Sequence, residues 1–116
     1  MVVRAKLVLM NTPSHTPPLT LEGFQQLIRD RYYATDSKRG VAGTFLLLTE
    51  EFGELATALH ANLPGKTPTP EQKANLEEEF ADVLAWLATL ANITGVSFEK
   101  AVQKYAIPGL VQGVKD

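Results

Sequence analysis

A chain of 116 residues that is 45% hydrophobic and 21% charged has room for one folded domain and too much apolar content for disorder throughout. Its net charge of −2 and pI of about 5.7 supply no basic field for duplex nucleic acid or an anionic membrane surface. The lack of cysteine excludes disulfides, thiolate metal sites and a cysteine nucleophile.

Residues 1–18 read as a flexible N-terminal tail. Met1 to Met10 is apolar but interrupted by Arg4 and Lys6, and no small-residue cleavage site follows, so it is expected to be neither signal peptide nor anchor. Pro13, Pro17 and Pro18 disfavour helix. A first helix starts near Thr20, a suitable N-cap, and carries Leu21, Phe24, Leu27, Ile28 and Tyr32 at helical spacing. Ala34 to Gly43, with its aspartate, serine and glycines, reads as a loop.

The second helix is expected from about Thr44 to Ala61, ahead of Asn62, Pro64 and Gly65. Thr69, Pro70 and Gln72 then supply an N-cap, a first-turn proline and the third-position partner of a capping box, opening a third helix that continues to about Asn92 and stops at Gly95. Ser97 caps a shorter fourth helix, which Pro108 and Gly109 end. No segment alternates in the manner of a strand, and no apolar run approaches the roughly 20 residues that span a bilayer. The expected fold is all-α: an antiparallel bundle of three to four helices over residues 19–107, between the tail and a C-terminal tail at 108–116. The expected location is the cytoplasm.

The acids fall on the wrong face. At about 100° per residue, Leu47, Leu55 and Ala58 lie within roughly 40° of Glu51, and Glu54 lies about 60° to its other side. On the third helix Glu79 stands within the apolar arc of Trp86, Leu90, Val83 and Leu76, with Asp82 on its border. Each helix therefore aims an i, i+3 acid pair inward. A single inward acid is commonly a rim residue reaching water; two such pairs on consecutive helices are not explained that way. Desolvating one ionised carboxylate costs several kcal/mol, so these groups either hold protons or are neutralised by divalent cations. All-oxygen ligands suit magnesium, with manganese as a substitute. Glu50, Glu71, Glu77 and Glu78 fall mainly on outward faces, as solvated charge.

Glu50-Glu51-Phe52-Gly53-Glu54, followed after a gap by Glu79-Phe80-Ala81-Asp82, resembles the EExxE…ExxD signature of the MazG-like nucleotide pyrophosphohydrolases. Arg39-Gly40 before Thr44, Ala81-Asp82-Val83-Leu84 and Gly95-Val96-Ser97-Phe98-Glu99 are similar to the surrounding text of that family, so the likeness runs from about Leu19 to Tyr105. The resemblance implies cleavage of nucleoside triphosphates to monophosphate and pyrophosphate by a helical bundle completed in a homodimer or homotetramer. It implies magnesium held by Glu51, Glu54, Glu79 and Asp82, with Glu50 helping to position the attacking water. Apolar arcs this wide on three or four helices also call for a covering surface.

A basic group should meet the phosphates, and Lys38, Arg39, Lys100 and Lys104 are the candidates, each of which also reads as ordinary surface charge. Trp86, one turn beyond Asp82, offers a ring for a base, although core packing is its favoured use. The segment from Ala106 to Asp116 has only Lys115 as a positive side chain, unlike the basic C-terminal stretch of several relatives. A di-iron bundle would need Glu-x-x-His pairs, which are absent here. Phosphoribosyl-ATP pyrophosphohydrolase and a non-catalytic helical module that binds a partner are the alternative functions.

Overall fold

A computed structural model describes residues 19–113. The tail expected at 1–18 and the last three residues lie outside the described residues. Among the described residues four helices follow in order: α1 (Leu21–Ala61), α2 (Pro70–Thr94), α3 (Phe98–Ala101) and α4 (Gln103–Ala106). Among the described residues there is no strand, and no single helix is long and apolar enough to cross a membrane.

The ends follow from their capping residues. The Gly23 N–H donates to Thr20 Oγ1 at 2.9 Å to open α1. At the start of α2 the Gln72 N–H donates to Thr69 Oγ1 at 3.1 Å while Gln72 Oε1 accepts from the Thr69 N–H at 2.8 Å, the reciprocal capping box. Gly95 ends α2 in the left-handed region at φ 76°. Ser97 caps α3, and the expected fourth helix is divided at Val102 into α3 and α4.

The expected loop between Ala34 and Gly43 is instead helical. The two expected helices are limbs of α1, broken only at Gly40 with φ 80° and ψ −179°. Asp36 and Ser37 suggest a loop because such side chains compete for backbone hydrogen bonds. Asp36, however, is occupied elsewhere: it accepts from Thr89 and Arg39 and is buried. With that competition removed, nothing before Gly40 interrupts the helix.

Cross-helix contacts show that the second limb of α1 runs antiparallel to α2, from Glu51 beside Glu79 and Asp82 to Asn62 beside Gln72, whereas the first limb crosses the C-terminal end of α2. Gln25 near the start of α1 bonds Asn92 and Val96, Asp36 bonds Thr89, and Asn62 just past the end of α1 bonds the Gln72 carbonyl. Gln25 is a hub. Its amide donates to Asn92 Oδ1 and the Val96 carbonyl, and its oxygen accepts from the Phe98 N–H at 2.9 Å, which pins the turn into α3 against α1. Ile28, Ala85, Ala88, Ala91 and Phe98 form the core beside this hub, with Phe24 and Tyr32 packed on it. The three alanines keep the inner face of α2 narrow, so the helices approach closely.

The backbone at Gly40 occupies a region that residues with a Cβ rarely adopt, although no atom lies within 4 Å of the place a Cβ would take. Gly40→Ala is therefore expected to lose about 1–3 kcal/mol of stability through strain alone. Urea unfolding of the two proteins measures this, and equal midpoints and slopes would contradict it.

Candidate metal centre

Below the core the same two helices bring acids together. Glu51 from the second limb of α1 meets Glu79 and Asp82 from α2, and one carboxylate oxygen from each lies within 4.8 Å of the other two. Glu79 and Asp82 are each 4% exposed, and Glu51 is half-buried. Their neighbours on the two inner stripes are Leu48 and Ala85, both buried. Glu54, about 60° further round its helix than Glu51, is half-buried and stands outside the trio.

Three carboxylates cannot share this space as ions without a counter-charge. At an effective dielectric constant near 20, two unit charges separated by roughly 4.8 Å repel by about 3.5 kcal/mol, and the seam holds three such pairs. Oε1 of Glu79 is buried and has no hydrogen-bond partner in the protein. Burying a polar atom in that state is unfavourable unless something outside the chain meets it. The converging atoms are all oxygens, so the group they fit is a hard divalent cation such as magnesium or manganese.

The other expected site residues are placed differently. Glu50 is exposed on the turn beside Glu51. Lys38 and Lys100 are exposed, and Lys104 is exposed with its Nζ 5.4 Å from the centre of the Tyr105 ring. Arg39 is half-buried: its Nη1 donates to Asp36 Oδ1 at 3.1 Å and to Thr44 Oγ1 at 3.3 Å. The guanidinium carbon lies 5.0 Å from the centre of the Trp86 ring. That ring is 2% exposed, so it is occupied by packing and by Arg39, with no face open to a base.

Sequence reading passed over Asp36, Thr44 and Thr89, which are buried polar residues linked through Arg39 and one another. A signal for them existed. Asp36 continues the four-residue spacing of Ile28 and Tyr32, while Thr44 and Thr89 lie on the stripes that carry Glu51 and Asp82. The expected loop concealed it for Asp36, while Thr44 and Thr89 lay in expected helices.

The model of the MazG nucleotide pyrophosphohydrolase domain matches residues 40–106, more than half of the chain and a span that contains the two acid-bearing segments. The chain belongs to this family. The MazG match begins at Gly40, where α1 breaks, and covers its second limb, α2 and both short helices. No individual curated protein matches the chain.

A cation seated among the trio would bind the folded state alone and raise its stability. Manganese or magnesium is expected to raise the melting temperature, by about 4–8 °C for each kcal/mol of binding free energy, and a chelator should reverse the rise. Glu79→Gln removes one of the crowded charges. It should melt higher than the parent in chelator and lose the metal-induced shift. A parent whose melting temperature ignores both metals would refute the assignment.

Proposed function

We propose that this MazG-family protein is a magnesium-dependent nucleoside triphosphate pyrophosphohydrolase that cleaves between the α and β phosphates and releases monophosphate and pyrophosphate. The observation that carries the reading is the coincidence of the family match with the trio Glu51, Glu79 and Asp82, inward acids that fit a divalent cation. Glu54 at the rim completes the proposed ligand set. Manganese is expected to substitute. A cation bound there would offset the charge on phosphate oxygens in an in-line displacement.

The chain's own residues supply the rest. Glu50, exposed on the turn beside Glu51, takes the proton of the attacking water and positions its oxygen. Lys38 and Lys104 are exposed cations able to reach phosphate charge from the solvent side. Arg39 and Trp86 were the remaining candidates for substrate contact; their mutual packing favours a role behind the site.

A homodimer or homotetramer is part of the proposal. Phe45, Phe52 and Leu59 recur along the outer side of α1, and Phe80, Leu84 and Leu87 along α2, all of them exposed. Apolar stripes on both long helices suit burial against a second copy of the chain. A cytoplasmic location fits a nucleotide substrate.

Incubation with a panel of ribo- and deoxyribonucleoside triphosphates, with and without magnesium, tests the reading. Monophosphate and pyrophosphate should form only with the metal, and Glu54→Gln should abolish turnover while leaving helical content unchanged. Diphosphate and orthophosphate would overturn the cleavage position. Turnover without a divalent cation, or a Glu54→Gln rate equal to the parent, would overturn the site. Turnover of phosphoribosyl-ATP alone would reassign the substrate, and no turnover of any of these would favour a binding module.

A further inference from the structure

Asp36 is the most deeply buried acid among the described residues, 1% exposed, yet it lies outside the proposed catalytic group. Its two oxygens are divided between two tasks. Oδ2 accepts from Thr89 Oγ1 on α2 at 3.0 Å, a fully buried bond between helices. Oδ1 accepts from Arg39 Nη1 at 3.1 Å, and the same nitrogen donates to Thr44 Oγ1 at 3.3 Å, reaching from one side of the Gly40 break to the other. The Arg39 guanidinium also lies against the ring of Trp86.

The placement of these partners relative to the acids is regular. Thr44 precedes Glu51 by seven residues on α1, and Thr89 follows Asp82 by seven on α2. Seven residues is close to two helical turns, or about 10.5 Å. In an antiparallel pair, equal offsets in these directions place the two threonines opposite each other just as Glu51 lies opposite Asp82. Leu48 and Ala85, both buried, occupy the rung between them. The network and the acid trio are thus two rungs of one seam. Whatever fixes the slide and rotation of the helices at Thr44 and Thr89 fixes the separation of Glu51 from Glu79 and Asp82.

We infer that Asp36, Arg39 and Thr89 form a register clamp that positions the carboxylate trio for its cation, with Arg39 acting through Asp36 and Trp86 and not on phosphate. The inference rests on the metal site proposed above. The Asp36–Thr89 bond is suited to this work because a slipped register would leave the buried Oδ2 of Asp36 without its partner, while Arg39, on the same helix as Asp36, ties that carboxylate to Thr44 across the Gly40 break. An apolar contact between the same helices would tolerate sliding. Gly40 belongs to the device, since its break turns the second limb so that Thr44 comes within reach of Arg39.

The test is the Mn2+ affinity of the full chain, read by electron paramagnetic resonance, together with kcat and KM for a triphosphate. Thr89→Val and Asp36→Asn should each weaken Mn2+ binding by about tenfold or more, as loss of supporting shells around metal ligands does, with native helical content and cooperative unfolding retained. The double variant should bind less weakly than the sum of the two single effects would give, because both act on the one Thr89–Asp36–Arg39 network. Arg39→Gln should also weaken Mn2+ binding, and Arg39→Lys should restore part of it. Unchanged Mn2+ affinity in Thr89→Val and Asp36→Asn overturns the clamp. A raised KM in Arg39→Gln with unchanged Mn2+ affinity overturns it differently, by making Arg39 a phosphate contact. Failure of the parent itself to bind Mn2+ would instead remove the metal-site reading, and the clamp's purpose with it.

Discussion

Repulsion among Glu51, Glu79 and Asp82 is the constraint around which the rest of the chain is arranged. Placing three carboxylate oxygens within 4.8 Å at a buried seam opposes folding, because each is drawn away from water and toward like charge. A protein with no use for them would carry apolar residues at these positions, which would pack the same helices at less cost. The acids persist beside a core built largely of alanines and aromatic rings, so that core and the polar bonds around it must offset them whenever no cation is present.

The surrounding architecture shows how that is done. Gln25 holds the turn after α2 against the start of α1, and Asn62 holds the end of α1 against the start of α2, so both ends of the helix pair are tied by side-chain amides. Between these ties the inner stripes alternate packing rungs with polar rungs. Thr44, Asp36 and Thr89 form one polar rung, Leu48 and Ala85 a packing rung, and the acids the next polar rung. The amide ties and the Asp36 rung are matched within the protein, whereas Glu79 keeps a buried oxygen with no protein partner. That contrast is the physical case for a ligand at the acids and for none at Asp36. The apolar rows on the outer sides of both helices belong to a different problem, the covering of surface that one copy leaves in water.

Much of this was legible before any coordinates. The capping box at Thr69, the glycine stop at Gly95 and the serine cap at Ser97 are local signals, and local signals survive into the folded state. The inward acids could be read because helical periodicity places them among leucines and a tryptophan whatever the neighbouring helix does. Two things could not be read. The continuity of α1 through Asp36 depends on Thr89, which is distant in sequence, so the local preference of aspartate for a loop was overridden from outside. Arg39 and Trp86 have obvious uses on a substrate when seen singly, and only their mutual contact shows that the guanidinium and the ring are packed against each other. The same limit applies to Glu54: the motif names it beside Glu51, but its angle on the helix puts it at the edge of the trio.

The central claim is that the carboxylates at the α1–α2 seam exist to hold a divalent cation, and the most direct measurement is the position of that cation. Crystals of the full chain soaked in manganese would give an anomalous difference map. The account predicts its strongest peak among Glu51, Glu79 and Asp82, within bonding distance of the Glu79 oxygen that has no protein partner. A map without a peak at the seam, or with manganese held only by exposed acids elsewhere, would contradict it.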